Sequence, residues 1–189
     1  IKNVVWMQPV VVEENHIQEV NISLYPNEDI IKYEVFISGA GGQRLVCSQG
    51  TFFVGAGLVP ARINIDEIKN RCTKTKDKKE VYASFKEVGL EYGASFQAIQ
   101  KLYYNENEAI TYLKLPAHLK DDFKEFVLHP SLMDSALQTT IGFMEGSESS
   151  ELLLPFSLGS VEIINPLTDK CFAYVKTRKT GAVQTFDIR

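Results

Sequence analysis

Cysteine and histidine are scarce in this sequence, and what they leave out narrows the choices. Cys47, Cys72 and Cys171 are the three cysteines among 189 residues. They are odd in number and far apart, so they build neither a disulfide framework nor a paired redox or zinc motif, and they suit a reducing cytoplasm. The three histidines, at 16, 118 and 129, lack metal-ligand spacing, so no metal is expected. No apolar run approaches the roughly eighteen residues of a membrane span, and the start does not read as a signal peptide. A formal charge of −4 gives no electrostatic reason to expect a nucleic-acid partner. Lys69–Lys79 is the one basic cluster, and Asp66, Glu67, Asp77 and Glu80 interrupt it.

What is present is organised in two parts. Residues 2–55 read as strands. Val4 and Trp6, then Val10 and Val12 beyond Pro9, alternate across a pleat, and runs at Ile17–Leu24, Tyr33–Ile37 and Leu45–Val54 follow. Clusters at Pro26–Asp29 and Gly39–Gly42 punctuate them as turns. From Asn64 to Glu80 the composition turns polar and charged, which marks 61–80 as a linker between a first unit at 1–60 and a second at 81–189. The second unit begins with a short amphipathic helix on Tyr82, Phe85 and Val88. Strands at 97–104 and 109–115 come next, then a helix from Pro130 to about Gly142–Gly146, then β-rich runs at 152–164, 171–178 and 182–188.

The run from His129 to Gln138 carries the chemistry. Leu132, Met133, Ala136, Leu137, Ile141, Phe143 and Met144 surround Asp134 on almost every face of the helical wheel, the pattern of a buried helix. Pro130 suits the first helical turn. Asp134 and Gln138, four residues apart, share one face. A buried carboxyl beside a neutral amide resists ionisation, which is how a carboxylic acid becomes a proton donor near neutral pH. On spacing alone a second reading stays open, in which Asp134 only balances the helix dipole. His129 likewise reads either as a base or as the residue that closes the helix end.

Gly89–Gln97, with Tyr92, Gly93, Phe96 and Gln97, precedes this helix by about forty residues. Together the two segments resemble the dehydratase domain of modular polyketide synthases. That family has a Tyr-Gly-Pro-x-Phe-Gln element followed by a His-Pro-x-x-x-Asp-x-x-x-Gln (or His) helix. His129, Pro130, Asp134 and Gln138 match the second pattern in full. Tyr92, Gly93, Phe96 and Gln97 match the first, with Ala94 where proline is usual. Similarity continues through Asn3–Trp6, Pro9, Ser48–Gly50 and Leu154–Phe156, over essentially the whole chain.

The resemblance implies an α+β tandem double hot-dog fold, each unit an antiparallel sheet wrapped around a helix, with the first unit incomplete and the chain cut at both ends. It implies dehydration of a β-hydroxyacyl thioester to an α,β-unsaturated thioester. The substrate rides on the phosphopantetheine arm of an acyl carrier protein, with no metal or redox cofactor. Asp134 would be the acid, aligned by Gln138. Tyr92, Gly93, Phe96, Leu154, Pro155 and Phe156 would line the substrate tunnel, with Gly93 allowing a sharp turn, and His129 and Pro130 would close the helix end beside the site. The family's base is a histidine in a His-x-x-x-Gly-x-x-x-x-Pro element that this sequence does not contain. The 189 residues alone are therefore expected to be inactive. Neighbouring synthase domains and a homodimeric synthase are the implied partners. The alternatives are a non-catalytic acyl-binding or dimerisation module, and a double-bond-shifting or pyran-forming relative. Asp134 argues against the double-bond shifters, which tend to lack that acid.

Overall fold

The computed structural model describes residues 1–53, 62–144, 155–180 and 183–189. The chain divides into two units, Ile1–Pro60 with Leu153–Ile164, and Ala61–Leu152 with Asn165–Arg189. Among the described residues each carries one five-stranded antiparallel sheet. No helix among the described residues is long and apolar enough to cross a membrane.

In the first unit the strands are β1 (Lys2–Trp6), β2 (Val20–Asn27), β3 (Ile30–Ser38), β4 (Arg44–Phe53) and β8 (Ser157–Ser160), ordered β2-β3-β4-β1-β8. The β2–β3 hairpin runs in unbroken register from Val20 opposite Ile37 to Asn27 opposite Ile30. Val10 and Val12, expected to continue a strand, lie instead in exposed irregular chain together with Ile17. Pro9 supplies no N–H to a ladder, so pairing stops before it. The 152–164 run is also corrected. Its strand is short, and it joins the first unit through β1, with Val4 opposite Leu158, where the second unit had been expected.

The second unit orders its strands β10-β9-β7-β6-β5, comprising β5 (Lys74–Asp77), β6 (Ile99–Tyr104), β7 (Glu108–Lys114), β9 (Lys170–Thr180) and β10 (Val183–Ile188). The stretch expected as a linker is part of this unit. It holds helix α1 (Ile65–Arg71), the edge strand β5 and the start of helix α2 (Lys78–Glu87). The polar composition misled because edge strands and helix ends tolerate charge. Asp77 accepts from the Glu80 N–H while Glu80 accepts from the Asp77 N–H, a reciprocal cap that starts α2. Ile68, buried, anchors α1 in the cluster with Ile110 and Tyr174, and Ile65 packs against it.

The main core lies between α2, helix α3 (Pro130–Gln138) and the sheet. Val81, Phe85, Ala98, Ile99, Leu102, Leu113, Leu115, Leu132, Ile141 and Ala173 are all buried there. This antiparallel sheet with a helix lodged on one face is the hot-dog arrangement. The α-helix is shorter than expected, because Thr139–Phe143 tightens into a 3-10 turn. Two β-branched threonines bond backwards at that point, Thr139 Oγ1 to Ser135 O at 3.1 Å and Thr140 Oγ1 to Leu137 O at 2.8 Å. Such bonds compete with the regular ladder. Thr139 Oγ1 having donated there, Thr111 Oγ1 on β7 donates to it at 2.7 Å and fastens the turn to the sheet. Gly142 lets that turn approach closely, since a Cβ would stand 2.9 Å from Tyr104 Cβ.

Candidate active site

Helix α3 starts on a histidine. His129 is the N-cap and its Nδ1 accepts the Ser131 N–H at 3.2 Å, while Pro130 occupies the first turn. Nδ1 therefore carries the lone pair and Nε2 the hydrogen, which faces Asp122 Oδ1 at 3.5 Å. The ring is 3% exposed, stacked on Phe123 and edge-on to Phe126. Its basic nitrogen is already occupied by backbone. Of the two readings of His129, the geometry is that of a helix-closing residue.

One turn along, Asp134 is half-buried and Gln138 is 3% exposed. Gln138 Nε2 donates to Asp134 Oδ2 at 2.6 Å and to the Phe96 carbonyl at 2.9 Å. Its Oε1 accepts from the Tyr82 hydroxyl at 3.1 Å, and that hydroxyl accepts from the Ile99 N–H at 3.2 Å. Burial raises the Asp134 pKa above its ordinary 3.8, and the Gln138 hydrogen bond pulls back against that rise. Among the described residues no ion pair involves Asp134. A carboxyl so placed holds its proton to higher pH than a free aspartate, and it is the acid-like group of the site.

The element at Tyr92–Gln97 is held by its own polar groups. Gln97 Nε2 donates to Tyr92 O at 2.7 Å, and Lys78 Nζ donates to Gln97 O at 2.9 Å. The half-buried Tyr92 ring meets Phe85 edge-on at 4.9 Å. Its hydroxyl is pushed up to about 12, first by burial and then by the nearby Asp134 charge. Tyr92 is thus both a packed aromatic and a neighbour of the acid. Phe96 enters through its backbone carbonyl, while the side chain is 41% exposed. Gly93 is a correction. Its φ of −67° is open to any residue, and the left-handed conformation lies at Gly89, φ 86°, just past α2. Pro155 and Phe156 are exposed residues of the first unit, where the Phe156 carbonyl accepts the Trp6 N–H at 3.0 Å. Leu154 lies outside the described residues.

The sequence reading missed Tyr82, which was noted for its apolar face alone. Nothing in its spacing from Gln138, 56 positions on, signals a hydrogen bond.

Residues 60–188 match the family model described as the polyketide synthase dehydratase N-terminal domain. The chain belongs to the polyketide synthase dehydratase family. It is 40% identical to polyketide synthase PksN and 30% identical to PksM, both of Bacillus subtilis strain 168, across its whole length. It spans 4% and 5% of those polyketide synthases, so the stretch it matches in each is a small part of a large synthase with other domains beside it. Among solved structures, a trans-AT polyketide synthase dehydratase domain from Brevibacillus brevis superposes with a TM-score of 0.90 at 32% identity. That match covers 99% of this chain and 68% of the other. The α+β hot-dog architecture is common to both.

Proposed function

We propose that this dehydratase-family chain supplies the acid for dehydration of a β-hydroxyacyl thioester during polyketide assembly. The observation that carries the reading is the environment of Asp134, a half-buried carboxyl with a neutral amide on one oxygen. In the reaction a base removes the α-proton, its electrons form the α,β double bond, and the β-hydroxyl departs as water. Asp134 protonates that hydroxyl as it leaves. The carboxylate left behind keeps the Gln138 N–H on Oδ2. The step balances without metal or redox cofactor.

The geometry of His129 supports a base supplied from elsewhere, because its lone pair is engaged by Ser131. His16 and His118 are exposed side chains and make no better bases. The substrate is inferred to be an acyl chain on the phosphopantetheine arm of an acyl carrier protein. The working assembly is inferred to be a cytoplasmic homodimeric synthase. The Tyr92 and Phe96 side chains would meet the acyl chain in the second unit.

The test is Asp134→Asn in the full-length protein, assayed with a β-hydroxyacyl thioester. The amide keeps the shape and loses the transferable proton, so turnover should fall roughly 10²–10⁴-fold with little change in folding. Undiminished turnover would overturn the acid role of Asp134, whereas a full-length parent that binds the thioester without turning it over would favour a non-catalytic acyl-binding module.

A further inference from the structure

The Gln138 amide is tied at three points, and the directions of its hydrogen bonds are forced. The Phe96 carbonyl can only accept, so the group facing it is the NH2, whose second hydrogen reaches Asp134 Oδ2. The Ile99 N–H can only donate, so the Tyr82 oxygen accepts from it. The Tyr82 hydrogen is then free to reach Gln138 Oε1 at 3.1 Å, or the more distant Phe96 carbonyl at 3.4 Å. A one-way chain results: Ile99 N–H to Tyr82 O–H, then across the amide to the carboxyl of Asp134. Each link polarises the next, and burial strengthens the effect.

We infer that Tyr82 is a positioning residue for the acid, acting through the Gln138 amide to hold a donor on Oδ2 and so keep the transferable proton on Oδ1 of Asp134. Oδ2 faces an N–H and cannot present a hydrogen in that direction. Oδ1 carries the proton outward, toward the leaving hydroxyl. When the proton has gone, the same N–H stabilises the carboxylate. The inference rests on the acid role of Asp134 and adds a residue to it.

The groups facing Asp134 are the Tyr82 and Tyr92 hydroxyls and the Gln138 amide on its own helix. Lys78 Nζ stands 6.0 Å from the centre of the Tyr82 ring. Both tyrosines are held protonated by burial, and burial raises the Asp134 pKa against the pull of the Gln138 hydrogen bond.

The experiment is a pH profile of kcat and KM in the full-length protein with a β-hydroxyacyl pantetheine thioester. In the parent, kcat should fall with rising pH as Asp134 loses its proton. Tyr82→Phe leaves the ring beside Phe85 and Tyr92 but weakens the N–H held on the carboxylate. It should lower kcat about 3–10-fold, the worth of one neutral hydrogen bond, and move that limb to higher pH with KM unchanged. Gln138→Met should cost about 10–100-fold, and the double variant no more than Gln138→Met alone. Placing 3-fluorotyrosine at position 82 keeps the packing and strengthens the donor, so the limb should move the other way, to lower pH. Opposite shifts from the two position-82 variants support the relay. An unmoved limb in both, or additive losses in the double variant, overturns it while Asp134→Asn remains inactive. Activity in Asp134→Asn would overturn the acid role itself and the relay with it.

Discussion

The second unit contains two sheltered carboxyls that the fold treats in opposite ways. Glu108 opens β7 and is almost fully buried, yet it is ionised. Arg71 donates to it from Nε at 2.7 Å and Nη2 at 2.8 Å, and Tyr174 adds its hydroxyl at 2.7 Å. The Arg71 guanidinium and these hydrogen bonds outweigh burial and hold the Glu108 pKa down at about 2. Asp134 is less buried, but its partner is an amide, and burial raises its pKa. Burial alone therefore does not decide protonation; the charge of the partner does. Glu108 ties the end of α1 to β7 and β9 as a structural anion, and Asp134 holds its proton to higher pH than a free aspartate.

Replacing each carboxyl in turn by its amide is the strongest way to break this contrast. Asp134→Asn should remove activity by roughly 10²–10⁴-fold and leave urea unfolding of the unit almost unchanged. Glu108→Gln should show the reverse, with turnover per folded molecule near the parent's. Its stability should fall by about 2–3 kcal/mol, since Arg71 loses its bidentate anion and the buried amide cannot satisfy both partners. Loss of activity in Glu108→Gln at matched folding would join the two sites and erase the distinction.

His129→Ala should be milder. It deletes the N-cap of α3 and should cost about 1–2 kcal/mol in unfolding, with turnover reduced far less than in Asp134→Asn. A collapse of turnover equal to that of Asp134→Asn would return His129 to the role of base.

The finest test is the pH dependence of unfolding. Glu108 has a depressed pKa in the folded chain, so its contribution is complete above the unfolded value near 4.5 and is lost as pH falls toward about 2. Asp134 has a raised pKa, so between 3.8 and its folded value the folded state binds more protons, and stability falls as pH rises. Glu108→Gln should flatten the acidic slope, and Asp134→Asn should flatten the weaker opposing slope above 3.8. Identical profiles in the two variants would mean that the two carboxyls are not electrostatically distinct.

Local periodicity made much of the second unit legible. The spacing of Tyr82 and Phe85 marks α2, the runs at 97–104 and 109–115 mark two strands, and His129-Pro130 marks the start of α3. Asp134 and Gln138 were legible for the same reason, because residues four apart on a helix must meet. Expectations failed where the deciding interaction is distant or compositionally disguised. The charged stretch 64–80 became a helix, an edge strand and a helix cap, because β6 offers an open edge to Lys74–Asp77. Ser157–Ser160 left its sequence neighbours for β1.

The sequence by itself determined which residues share a helix face, where α3 starts, and that a carboxyl and an amide stand one turn apart on it. Those are consequences of 3.6-residue geometry and need no other part of the chain. Tertiary structure alone decided what surrounds them. Tyr82 reaches Gln138 across 56 positions, the Phe96 carbonyl turns in across 42, and Arg71 meets Glu108 across 37. The pKa of a carboxyl is set by desolvation and by the partners within hydrogen-bonding reach. Those partners are assembled by the folding of distant segments onto one sheet, so the pairing of carboxyl and amide was readable in one dimension and the proton affinity of the carboxyl only in three.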